Sequence, residues 1–158
     1  MIPLIPENEE KREYLEGYIR AVKASKEIEM EIEQLRLAQM YPTLNQDGMP
    51  HAHNHTDLSD YAAAISGLLE KYEKKRLQKI HKKHEISEAI DVLQNDTERL
   101  ILRYRYLCLV QTQEEKKKHE EGSRQLTWNE IALKSGYSFD RVTHIHGEAL
   151  AHLQLDNK

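Results

Sequence analysis

Apolar residues recur every three or four positions along most of this chain, and the breaks in that recurrence divide it into helices. From about Glu7 to Met40, the residues Leu15, Tyr18, Val22, Ile28, Ile32 and Leu35 form one stripe among Glu and Lys. Pro6 stands at the entry of this segment and Pro42 beyond its end, as expected of helix boundaries. A stripe so closely bordered by charge needs a partner helix to cover it. Tyr61, Ile65, Leu68 and Tyr72 continue the spacing after a cap at Asp57 or Ser59, and the pattern runs on through Leu77 and Ile80 toward Leu93. Between the two segments lies YPTLNQDGMPHAHNHTDLSD, whose Pro, Gly, Asn and His mark a loop. A loop of that length lets the second helix return antiparallel to the first.

Asn95-Asp96-Thr97 interrupts the pattern and caps a third helix, ERLILRYRYLCLV, with Leu100, Ile101, Tyr104, Leu107 and Cys108 as its expected buried face. The stretch 111–125, QTQEEKKKHEEGSRQ, is almost wholly polar and reads as a solvated extension of that helix or as a mobile insertion. Thr127 then caps a short helix, with Glu130 three residues on reaching back to the cap's own N–H. Ile131, Ala132 and Leu133 supply apolar contacts, and Gly136 ends the helix by accepting a left-handed backbone. Ser138 caps the last helix, where Val142, Ile145, Ala149 and Leu153 recur at helical spacing. Two short helices across a tight Gly-containing turn form the unit that lays its second helix in a DNA major groove. The pattern therefore predicts an all-α protein with no sheet. A long antiparallel N-terminal helical hairpin would occupy residues 1–94, and a three-helix module with a helix-turn-helix would occupy 95–158, interrupted by the polar insertion at 111–125.

Composition narrows the class. With 158 residues, 32% of them charged and 6% aromatic, the chain suits long, exposed helices better than a large core. Its one cysteine, Cys108, excludes an internal disulfide and is expected to serve packing in a reducing cytosol. No apolar run approaches the roughly 20 residues of a membrane span, and MIPLIPENEEK carries no basic leader. A soluble, cytoplasmic protein without membrane partners is expected. The net charge of −4 counts against a nucleic-acid binder, but it hides an asymmetry. Residues 7–33 carry nine Glu against five bases, whereas residues 71–83 carry seven bases against Glu73. The basic stretch can follow a phosphate backbone, with Lys75, Lys79 and Lys82 as candidate contacts. It can equally pair with the acidic first helix or form a solvated face.

The segment ERLILRYRYL, followed by LTWNEIALKSGYSFDRVTHIHGEAL, resembles region 4 of bacterial sigma factors. The matching residues are Leu102, Arg103, Arg105 and Tyr106, then Trp128-Asn129-Glu130-Ile131-Ala132, then Val142 and Ala149. GYS at 136–138, HGEAL at 146–150 and the Gly48-Met49-Pro50 turn further resemble small sigma-like regulators of phages and prophages of Gram-positive bacteria, in the layout of the ArpU-like late-transcription regulators. Two features depart from that pattern. About 19 residues, Leu107 to Gln125, separate the Arg-Tyr element from the next helix, and the last helix is less basic than usual. Nothing resembles the sigma region that grips the −10 element.

The resemblance implies a non-enzymatic, sequence-specific regulator that binds double-stranded DNA through a recognition helix at about 138–153. RNA polymerase is the implied protein partner, and the N-terminal hairpin the implied surface for homo-oligomers. On that helix the Ser138 hydroxyl and the terminal N–H groups can hold a phosphate. Asp140, Arg141, Thr143 and His144 lie on or near its N-terminal solvent side, where Arg141 can take guanine, His144 donate to an acceptor and the Thr143 methyl touch thymine. A solvated helix surface is the plain alternative for these residues. A phage DNA-packaging protein of the terminase small-subunit kind would use the same modules. A metal-dependent enzyme is the weakest class. His51, His53 and His55 alternate and Asp57 could complete a tetrahedral zinc site, but the segment is a Gly/Pro loop without Cys. The expectation is therefore no metal, no cofactor and no catalytic residues.

Overall fold

A computed structural model describes residues 6–40 and 55–155. It is mostly helical, with α1 (Pro6–Leu15), α2 (Gly17–Met40), α3 (His55–Asp91), α4 (Asp96–Tyr106), α5 (Gln113–Lys118), α6 (Trp128–Ser135) and α7 (Phe139–His152). The all-α class stands. The expected absence of any sheet does not, because β1 (Leu109–Val110) pairs antiparallel with β2 (Arg124–Gln125), Leu109 opposite Gln125 and Val110 opposite Arg124. The first long segment is divided at Glu16, although i→i−4 backbone bonds continue across it from Glu16 to Arg12 and from Arg20 to Glu16. Asp57 and Ser59 lie inside α3 instead of capping it.

The chain divides into two compact units, Met1–Val22 with Lys79–Lys158, and Lys23–Gln78. The boundary expected at residues 94–95 thus falls within α2 and α3. The reason is apolar burial in the first unit. Leu15, Tyr18, Val22, Ile86, Ile90 and Leu93 share one core cluster with Leu102, Tyr106, Leu107, Ala149, Leu150 and Leu153. In that unit the Tyr14 hydroxyl donates to Glu85 at 2.9 Å, and the Lys82 and Lys83 ammonium groups sit 4.8 and 5.5 Å from the ring centres of Tyr14 and Tyr18. In the second unit Ile28 and Ile32 are buried, and the Tyr72 hydroxyl donates to Glu29 at 2.9 Å. Met30, Leu37, Met40, Leu58, Leu69 and Leu77 are exposed there. Leu77, and Ile80 in the first unit, therefore do not extend a buried stripe along α3.

The polar stretch 111–125 is neither an extension of α4 nor an irregular insertion. Thr112 caps α5, its side chain accepting from the Glu115 N–H while Glu115 accepts from the Thr112 N–H, and His119 closes the helix at a left-handed φ of 56°. The capping box was present in the letters T-Q-E-E but was hidden by the surrounding polarity. The ribbon closes the base of this lobe around Gly122. A Cβ built there would lie 2.6 Å from the Val110 carbonyl carbon and 2.9 Å from the Gln111 nitrogen. Backbone cannot move aside as a side-chain tip can, so Gly122→Ala is expected to cost about 1–3 kcal/mol. Denaturant titration measures this, and an unchanged midpoint would mean that the two strands separate freely.

Candidate nucleic-acid interface

Local chemistry sets the two helices at the C-terminal end. The Thr127 hydroxyl accepts from the Glu130 N–H at 3.2 Å, and Glu130 accepts from the Thr127 N–H at 3.0 Å. Both orphan donors at the start of α6 are thereby satisfied. Arg124 forks onto the same carboxylate at 2.8 and 3.2 Å. This guanidinium contact, followed by the Thr127 N–H, pulls the Glu130 carboxyl down to about 2. Gly136 at φ 80° returns its N–H to the Ala132 carbonyl and stops α6. Two residues later the Ser138 hydroxyl accepts from the Arg141 N–H at 3.2 Å and starts α7. The caps at Thr127 and Ser138 and the stop at Gly136 were readable from the letters, whereas the Arg124 fork was not.

The packing behind them was only partly so. α4, α6 and α7 pack pairwise, and Ile101, Leu126, Ile131, Val142 and Ile145 form their shared cluster. Val142, Ile145, Ala149 and Leu153 are buried as the spacing predicts. On α4 the buried face is turned from the expected one. Of the expected residues Ile101 and Leu107 are buried and Tyr104 packs against the cluster, but Leu102 and Tyr106 are also inside, whereas Leu100 is 39% exposed and Cys108 lies on the surface. On α6 Ile131 is buried and Ala132 packs against the cluster, but Leu133 is 86% exposed.

A polar node joins the three helices. His146, buried on α7, lies 2.7 Å through Nε2 from the Tyr106 hydroxyl of α4. Its ring meets Trp128 of α6 edge-on, with centres 4.6 Å apart. The Arg105 guanidinium sits 4.3 Å from the Trp128 ring centre and donates to the Leu126 carbonyl at 2.6 Å. Burial, with Arg105 and Arg12 adding to it, lowers the His146 imidazole to about 4, so the ring is neutral near pH 7. Burial likewise raises Tyr106, which keeps its proton. Sequence reasoning matched Arg105, Tyr106 and the HGEAL stretch that begins at His146 to motifs but gave His146 no place in the core. Its one signal was position, since 146 follows Val142 by four and precedes Leu150 by four on the buried side.

Opposite that side the structure places Ser138, Asp140, Arg141 and His144 on the surface of the first turns of α7, with Thr143 half-buried. The Thr143 hydroxyl donates to the Asp140 carbonyl at 3.0 Å, and His144 Nε2 lies 3.0 Å from Glu148. Arg141 has no ion-pair partner among the described residues. The candidate phosphate contacts do not form one free group. Lys79 lies 2.9 Å from Glu121. Lys82 lies 3.8 Å from Glu85 as well as over Tyr14. Lys75 is exposed in the second unit. The side chains of His51, His53, His55 and Asp57 fall outside the described residues. No protein-family model matches the chain, and no curated protein or solved structure matches it either.

Proposed function

We propose that this protein is a sequence-specific DNA-binding transcription regulator of the phage type, with α6 and α7 acting as a sigma region 4-like helix-turn-helix and α7 as its reading helix. One observation carries the reading. α7 is anchored along Val142, Ile145, Ala149 and Leu153 while Ser138, Asp140, Arg141 and His144 of its opening turns remain exposed. A helix that enters the major groove needs that division, because its N-terminal side chains meet the base edges while its other face is held rigidly.

The N-terminal helices form an antiparallel hairpin in this reading. Two pairings support it, since Tyr14 of α1 meets Glu85 of α3 while Tyr18, further along in α2, meets Lys83, further back in α3. The exposed Met30, Leu37, Leu69 and Leu77 suit self-association or contact with RNA polymerase. The same apolar residues also suit a multimeric packaging protein, and recovery of bound DNA from the host separates the two, as promoter fragments favour regulation and packaging sites favour the motor.

Selection from a random duplex library should enrich one sequence class. Arg141→Ala should then weaken binding to the selected site by about 1–3 kcal/mol and relax preference at one position. Its thermal midpoint should hardly move, because an exposed helical Arg replaced by Ala loses no core packing. If changes at Arg141, Thr143 and His144 all leave binding intact at fixed salt, α7 is not the reading helix.

A further inference from the structure

The lobe formed by residues 111–125 carries Glu114, Glu115, Glu120 and Glu121 against Lys116, Lys117, Lys118 and Arg124, and of these acids Glu114 shares the exposed surface of α5 with the lysines. Glu115 is buried in the α5 cap, and Glu121 is held by Lys79 at 2.9 Å. Arg124 is spent on Glu130. Lys116, Lys117 and Lys118 remain, all exposed and without an ion-pair partner among the described residues. Cations at the last turn of a helix complement its dipole, and that is a sufficient reason for one of them. Three in succession, turned about 100° from each other around α5, repel one another and cover most of its circumference.

Their position is fixed at several points. β2 leads through Leu126 directly into the Thr127 cap of α6. The Arg124 fork ties the ribbon to Glu130 in the first turn of α6, and the Gln125 amide donates to the Arg105 carbonyl at 3.3 Å. Gly122 lies against the Val110 backbone, and the Lys79–Glu121 pair holds the lobe to α3. A cationic knob therefore stands on a braced stem that runs into the start of α6.

We propose that this lobe is a clamp on the DNA phosphate backbone, gripping the duplex beside the segment read by α7. The inference rests on the DNA-binding reading above and assigns a role to the insertion that departs from the region 4 pattern. The cationic surface engaged is Lys116–Lys118, in place of the Lys79 and Lys82 ammonium groups, which have internal partners. Phosphate contacts of this kind position the protein and carry no sequence information.

The test compares the full-length wild type, K116Q/K117Q/K118Q and K116R/K117R/K118R on the duplex selected by the wild type, over a series of salt concentrations. The Gln variant should bind more weakly at low salt, with a log–log salt slope shallower by about 0.9 for each phosphate it no longer neutralises. Its order of preference among mismatched duplexes should stay that of the wild type, and the Arg variant should restore the slope. The single variant K117Q, with its unfolding midpoint measured alongside, keeps the comparison valid if the triple change disturbs α5. A wild-type slope in both Gln variants overturns the clamp while leaving α7 as reader. A wild type that enriches no duplex overturns the DNA reading itself, and the clamp with it.

Discussion

Val142→Asp should abolish the cooperative unfolding transition of the C-terminal helices. Val142 is 0% exposed and meets Ile101, Leu126, Ile131 and Ile145 in one apolar cluster. The substitution removes a buried side chain whose burial contributes about 1.5–3 kcal/mol. It also leaves a carboxyl group that must either stay charged without solvent or take up a proton, an added cost of several kcal/mol. Against a typical total stability of about 5–15 kcal/mol, that loss is most of what holds the module together. Far-UV circular dichroism during a thermal ramp reads it, with Val142→Ala expected to keep a transition at lower temperature. A Val142→Asp protein melting with the wild type would show that this cluster is not the core of the module.

The second large effect concerns acid. His146 titrates near 4 in the folded protein and near 6.5 when unfolded, so between those values the unfolded chain binds more protons. Stability from this group is fully present above about pH 6.5 and is lost as pH falls toward 4. A depression of that size corresponds to roughly 3 kcal/mol across the window. Denaturant titrations at pH 7, 5.5 and 4 should show the decline, and His146→Gln, which cannot titrate, should flatten it. The variant will be less stable than wild type at pH 7, so the slope and not the absolute value is the readout. An unchanged slope would place the acid sensitivity elsewhere.

What the letters revealed followed the range of the interaction involved. The caps at Asn95, Thr127 and Ser138 and the stop at Gly136 were legible because each is complete within four residues. The face of α4 was legible only in part, at Ile101 and Leu107. Leu100, Ile101, Leu102, Tyr104, Tyr106, Leu107 and Cys108 put apolar groups nearly all round a short helix, so periodicity alone could not choose between its faces. The packing of α6 and α7 did, and it favoured Leu102 and Tyr106 over Leu100 and Cys108. His146 and Tyr106 are 40 positions apart, and nothing local links them. Among the candidate phosphate contacts, the basic run at 71–83 concealed that Lys79 belongs to Glu121, a residue 42 positions away. The exposed Arg141, by contrast, followed directly from its place beside Val142.

The polar node also has a use at the bench. Trp128 is the single tryptophan of the chain, and it lies where α4, α6 and α7 meet, between the Arg105 guanidinium and the edge of His146. Its intrinsic fluorescence is therefore a reporter of that junction alone, silent about the long N-terminal helices. Imidazolium quenches indole emission more strongly than neutral imidazole does, so the protonation of one buried ring can be followed optically, in unlabelled protein, with or without a duplex present.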